Sequence, residues 1–183
     1  MMTVSGIPTP ERDVFAWNVQ YMALKNYVLV SKSLNIHSAA EFAARPQLQW
    51  GVVRSFKHGA QADGFLNKLR QSGRVKEEAD LESVIRVFGM PNRTQAAMAQ
   101  APAYLKYVQR NNIASQIYIE DWFPEDPPVP LGMVFSKKHF SEPEIKKWRL
   151  ILGKMRTDGT LKAIYTKHLG AVEAGRMLQF SGD

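Results

Sequence analysis

Pro130 to Gly170 reads PLGMVFSKKHFSEPEIKKWRLILGKMRTDGTLKAIYTKHLG. Leu131 to Phe135 is a short apolar run that predicts a strand, followed by a polar break. Ser141 and Glu144 have the Ser-x-x-Glu spacing of a capping box, so a helix is expected to begin there. Ile145, Trp148, Leu152 and Met155 recur at three- and four-residue steps and fall on one face of it. Lys146, Lys147, Arg149 and Lys154 take the opposite face. Asp158-Gly159 stops the helix, because glycine accepts the left-handed conformation that closes a helix end. Leu161, Ile164, Tyr165 and Leu169 then mark a second helix, which Gly170 can end. Physics alone therefore gives a strand and two docked helices.

The chain has 183 residues, enough for one ordinary domain or two small lobes. A hydrophobic share of 45% with 22% charged residues is that of a folded globular protein. No apolar run is long enough to span a membrane, and Met1-Met2-Thr3-Val4-Ser5 reads as having no signal peptide. Zero cysteines exclude disulfides, thiolate metal sites and cysteine nucleophiles. No cofactor or metal is expected. The net charge of +7 raises nucleic-acid binding, but the basic residues are spread from Arg12 to Arg176. Their densest cluster, Lys146-Lys147-Arg149, reads as a solvated helix face, so no nucleic-acid partner is expected.

At the N-terminus, TVSGI reads as a strand and Pro8-Thr9-Pro10 as extended chain. Thr9 can cap a helix with Pro10 at its first position and Arg12 in its first turn. Arginine beside free helix amides suits a ligand anion, although the residues alone favour a surface arginine paired with Glu11 or Asp13. Asn26 to Lys32 predicts a strand, and Ser38 with Glu41 a capping box. Leu48 to Arg54 predicts a strand leading through Ser55-Phe56-Lys57-His58-Gly59 into a helix with Phe65, Leu66 and Leu69 inward. Such a turn offers amides and dipole to an anion, without a phosphate-loop motif. A strand at Val75 to Glu78 and a helix capped by Asp80 follow. The segment from Asn92 to Ala99 leads to a helix carrying Tyr104, Leu105 and Val108, then a strand at Ser115 to Trp122. Pro124 to Pro130, with four prolines in seven residues, predicts a rigid irregular loop, and Ala171 to Leu178 a last helix.

The order strand, FSKK, Trp-bearing amphipathic helix, MRTDGT and LKAIYTKHLG resembles the C-terminal signature of one family. It is that of the bacterial extracellular solute-binding proteins of family 3, which serve amino-acid ABC transporters. SGIPTPERDVFAWNVQYM is similar to that family's Ser/Thr-rich strand end, TPER and aromatic run into Pro-Tyr, here Gln20-Tyr21. The resemblance implies an α/β fold of the type II periplasmic-binding-protein class, with a ligand held between two lobes and presented to membrane transporter subunits in the periplasm. It places the bidentate salt bridge to the ligand carboxylate on Arg12, whose planar fork suits that group. Ser5 and Ile7 stand near the accompanying hydroxyl positions, Ile7 with a backbone N–H only. Gly59-Ala60 stands at the pair through which the second lobe meets the ligand, without its hydroxyl. Arg93 matches the family's Gly-Arg-Val-Asp-Ala pattern, while Thr94, Gln95 and Ala96 depart from it. Gln100-Ala101-Pro102 replaces Asp-Ser-Pro, whose aspartate receives the ligand's ammonium. A neutral glutamine cannot pair with a buried ammonium, so a small carboxylate lacking the amine stands beside an amino-acid-like ligand.

By the same resemblance, residues 28–120 form a complete Rossmann-like second lobe. Residues 1–27 and 121–183 form a first lobe lacking its N-terminal half. Truncation, or a homo-oligomer or strand exchange that completes the first lobe, is the corresponding expectation. The leading class is a binding protein and not an enzyme. The alternatives are a degenerate protein acting through protein interaction, and a dehydratase-like enzyme on the same fold. Glu120, Asp121 and His58 are the local candidates for catalytic groups, and no motif surrounds them.

Overall fold

The computed structural model describes residues 2–88, 90 and 93–180, with Val4 and Ser5 described by backbone alone. The chain divides into two compact units, Met1–Lys25 with Pro128–Asp183, and Asn26–Pro127. Each unit is a mixed α/β arrangement built on an open sheet.

The first unit contains β1 (Met2–Gly6), α1 (Pro10–Asp13) and β2 (Ala16–Leu24) from the N-terminal segment. Numbered in chain order, it also contains β8 (Val129–Ser136), α6 (Glu142–Thr157), α7 (Thr160–Leu169) and α8 (Ala171–Met177). Its sheet has the order β1-β8-β2, with both pairings antiparallel, so β8 is central. The expected strand at Leu131 to Phe135 is this central strand, extended at both ends. Ile145, fully buried, packs with Val19 and Phe135, and Trp148 and Leu152 add to the same cluster. The capping box at Ser141 is present: the Ser141 N–H and hydroxyl both reach Glu144 Oε2 at 2.7 Å. Gly159 (φ +84°) and Gly170 (φ +85°) close the ends of α6 and α7. Strand β2 was not expected. AWNVQYMAL alternates poorly because the register against β8 shifts between Gln20 and Met22, and such an irregularity breaks the period-two pattern.

The second unit runs β3 (Asn26–Ser31), α2 (Ala39–Ala43), β4 (Trp50–Val53), α3 (Ala60–Gln71) and β5 (Val75–Glu78). It continues through α4 (Leu81–Val87), β6 (Ala96–Gln100), α5 (Ala101–Arg110) and β7 (Ile117–Glu120). The strand order is β5-β4-β6-β3-β7. β4 is parallel to β5 and β6, and β3 is antiparallel to β6 and β7. Of the segment expected from Asn92, Asn92 itself lies outside the described residues, and the strand begins at Ala96.

Both faces of this sheet are covered, which explains why β3 is a continuous apolar run. Val28 and Val30 join Phe42, Trp50 and Leu66 on one face, and Tyr27 and Leu29 join Tyr104 and Val108 on the other. One capping expectation changes in detail. Ser38 does accept from the Glu41 N–H at 3.2 Å, but the Glu41 carboxylate takes the His37 N–H at 2.9 Å. The reciprocal half of the box has moved one residue upstream.

Arg74, only 7% exposed, fastens this unit from inside. Its guanidinium donates to the carbonyls of Leu48 (3.0 Å), Ala43 (2.9 Å), Phe42 (2.8 Å) and Arg45 (2.8 Å). It also lies 5.4 Å from the centroid of the Phe42 ring. A cation suits this place because the last carbonyls of α2 converge there at the negative end of the helix.

Candidate functional site

In the second unit, the parallel strands β4, β5 and β6 end on the same side, where the chain must turn into α3, α4 and α5. The carboxyl ends of such strands form the crevice where open α/β sheets hold ligands, because the turns leave it unfilled. Here it is a cavity of about 200 Å³ lined by Asn26, Val53, Phe56, His58, Leu81, Met98, Ala99, Gln100 and Ala103. Asn26 reaches this end because β3 runs antiparallel and pairs it with Gln100.

Asn26 is 7% exposed, and its Nδ2 donates to the His58 carbonyl at 2.8 Å, tying the turn after β4 to β3. Its Oδ1 has no hydrogen-bond partner among the described residues. A buried acceptor left unpaired is costly and calls for a donor. His58 is also buried, with its ring 5.2 Å from that of Phe56. Its Nδ1 stands 3.6 Å from the Asp63 carboxylate, beyond hydrogen-bond reach. Burial pushes the His58 pKa below the ordinary 6.5, against the opposing pull of Asp63.

The sign of the pH effect follows. The unfolded chain protonates His58 more readily than the folded one, so folding stability falls as pH drops below about 6.5. Urea melts at pH 7.5 and 5.5 are expected to show a lower midpoint at 5.5, with the difference reduced in His58→Gln. An equal pH decrement in His58→Gln overturns this assignment. The carboxyls held low by caps, such as Asp80 bonded by Ser83 N–H, lose their contribution only below the ordinary carboxylate range and leave this window clear.

The turn expected to present Gly59 and Ala60 to an anion is already filled. Asp126 from the proline-rich loop accepts from the N–H groups of Gln61 and Ala62, both at 2.9 Å. Gly59 (φ +141°) is packed so closely that an added Cβ would run into the Asp126 carboxyl. The first amides and positive end of α3 therefore serve an internal carboxylate, the best ligand such a helix end has. Gly59 and Ala60 do not line the cavity, whereas Gln100 does.

In the first unit, Arg12 and Ile7 are brought together: the Arg12 guanidinium donates to the Ile7 carbonyl at 2.8 Å. Arg12 is exposed, and α1 is a single turn. Thr9 caps it as expected, accepting from the Arg12 N–H at 3.3 Å. The Glu11 carboxyl is held below its ordinary range, first by a backbone N–H of its own residue and then by Thr9. So the protein's own groups already engage the amides at this helix end. The backbone of Ser5 lies in β1, and its side chain falls outside the described residues.

The remaining candidates for chemistry are in use elsewhere. Glu120 accepts from His37 (2.7 Å) and from Trp122 Nε1 (2.8 Å), and Asp121 accepts from the Phe123 N–H at 3.2 Å. Among the described residues, no group of three or more metal-ligating side chains could hold an ion. Sequence reasoning missed Asn26, Phe56 and Asp126. Asn26 was readable only as a strand start, and Asp126 sits 64 residues from the amide of Ala62 that it serves.

No family model and no curated protein matches the chain. Solved structures do. The unliganded L-cystine solute receptor of Neisseria gonorrhoeae superposes with TM-score 0.65 at 18% identity, over 90% of this chain and 65% of its own. A histidine-bound substrate-binding protein of an ABC uptake transporter from Streptococcus pneumoniae gives 0.63 at 14%, over 91% and 66%. An ancestral amino-acid-binding protein, a precursor of cyclohexadienyl dehydratase, gives 0.60 at 19%, over 90% and 66%. The chain thus has the fold of the type II solute-binding proteins and spans about two thirds of the length of these relatives.

Proposed function

We propose that the chain is a member of the amino-acid solute-binding group that binds a small organic ligand. The unit Asn26–Pro127 is the ligand-receiving second lobe, and the rest of the chain belongs to the first. The reading rests on one observation above others: an open cavity at the shared carboxyl end of β4, β5 and β6, in a fold of which one solved example is a substrate-binding protein with bound histidine. Gln100 lines that cavity as a neutral hydrogen-bonding group, which supports a ligand without a buried ammonium at this point. Arg12 is the proposed carboxylate partner, and transporter subunits in a bacterial periplasm are the proposed recipients. That placement follows the group. Among the described residues no helix is long and apolar enough to cross a membrane.

Binding is favoured over catalysis because the Glu120 and Asp121 carboxylates are already bonded within the protein. The test is thermal stabilisation by a panel of amino acids and organic acids. At least one carboxylate should raise the melting temperature, and Arg12→Ala should abolish the rise through loss of a bidentate charged contact, about tenfold or more in affinity. An unchanged response in Arg12→Ala removes Arg12 from the site, and a flat panel on folded protein overturns the binding reading.

A further inference from the structure

We infer that the moiety entering the second unit's cavity is uncharged, a ring of phenol-to-indole size bearing one N–H or O–H donor. The inference deepens the proposed binding role and rests on the cavity being the ligand's seat.

Three independent observations converge on it. First, the described lining holds no Asp, Glu, Lys or Arg, and Phe56, Leu81, Met98, Ala99 and Ala103 make most of its wall. A charged group placed there would lose its hydration without a counter-ion. Second, the helix end beside His58 offers an incoming anion little, because Asp126 already holds the Gln61 and Ala62 amides. A ligand carboxylate at that point would also meet the Asp126 charge. Third, Asn26 Oδ1 is a buried acceptor without a partner among the described residues, on a residue that lines the cavity. One donor on the ligand would satisfy it, and one of the two Asn26 Nδ2 hydrogens goes to the His58 carbonyl, which fixes the amide with Oδ1 as the unpaired atom.

Size narrows the class further. The cavity of about 200 Å³ is somewhat larger than the roughly 150 Å³ apolar cavity that takes up benzene. A substituted benzene or an indole therefore matches it, and a single methyl or hydroxymethyl side chain does not. Phe56 and Met98 in the lining are side chains that suit an aromatic ligand, through ring and sulfur contacts.

The experiment is fragment binding to the full chain, followed by isothermal titration or amide NMR shifts, with indole, N-methylindole, benzoate and benzylammonium. Indole is expected to bind saturably, and N-methylindole about fivefold more weakly, since it cannot donate to Asn26. Benzoate and benzylammonium should bind at least about tenfold more weakly than indole. Ala103→Phe fills the cavity from α5 and should remove indole binding. Ala103→Leu is the milder replacement should the first not fold. The inference is overturned by either charged fragment binding as tightly as indole, by N-methylindole matching indole, by folded Ala103 variants that leave indole binding unchanged, or by no saturable indole binding to folded wild type. If carboxylates stabilise the protein through Arg12 while indole does not bind, the binding role stands and this inference falls. Indole binding without any response to amino acids or organic acids gives the reverse.

Discussion

Arg74→Ala is expected to destabilise the second unit by about 3 kcal/mol or more, a fall of roughly 10–20 °C in the melting temperature of a cooperative unit of about 100 residues. Four carbonyls, of Phe42, Ala43, Arg45 and Leu48, accept from one guanidinium in a largely buried position. Truncation takes this donor from the Ala43 and Leu48 carbonyls, each stranded acceptor costing on the order of 1–3 kcal/mol before water enters, while the Phe42 and Arg45 carbonyls keep the N–H groups of Arg45 and Leu48. The Phe42 ring also loses the cation lying over it, so packing and hydrogen bonding fail together. Arg74→Lys keeps the charge but not the planar fork, and about half the loss should remain. Arg54→Ala is the control, since Arg54 is exposed and meets Glu77 only at 3.8 Å. Should Arg74→Ala melt within a degree or two of that control, the stapling role is wrong.

The second large effect lies at the end of α3. Gly59→Ala should cost about 2–4 kcal/mol, from two sources. At φ +141° an L-residue is strained, and the new Cβ displaces Asp126 from the two amides it caps. Asp126→Ala removes the cap without straining Gly59, about 1–2 kcal/mol for the cap itself. The double variant should therefore be more stable than the sum of the two losses implies, by about 1 kcal/mol, because the cap cannot be lost twice and the steric conflict is partly relieved. Strict additivity in urea melts would separate the Gly59 strain from Asp126 and refute the coupling.

These two sites mark the boundary between what was legible in the chain and what was not. The helix starts at Thr9, Ser38, Asp80 and Ser141 were readable because a cap and the amide it serves lie within three residues. The stops at Gly159 and Gly170 were readable for the same local reason. Strand β3 betrayed its two covered faces by its unbroken apolar run. Strand β2 hid because an irregular register against β8 spoils alternation, and that register is a property of the pair.

The candidate site was legible only in part. The turn from Ser55 to Gly59 and the position of Gln100 were singled out from sequence, and both stand at the carboxyl end of the parallel strands. The free helix end expected beside Gly59 was not there, because nothing in the spacing of Asp126 announces that it folds back onto Gln61 and Ala62. Asn26 looked like an ordinary strand residue until its pairing with Gln100 placed it in the cavity wall.

By itself, then, the sequence determined the elements, their ends and the α/β class, since these follow from contacts within a few residues and from the period of apolar side chains. Tertiary structure alone decided which polar groups are satisfied. Asp126 fills one anion site, Arg74 fills the carbonyl end of α2, and Asn26 Oδ1, on a residue of the cavity wall, is left without a partner among the described residues. Such pairings join residues tens of positions apart, and what fixes them is the cost of burying a polar group alone, a cost incurred only once the chain has closed around it.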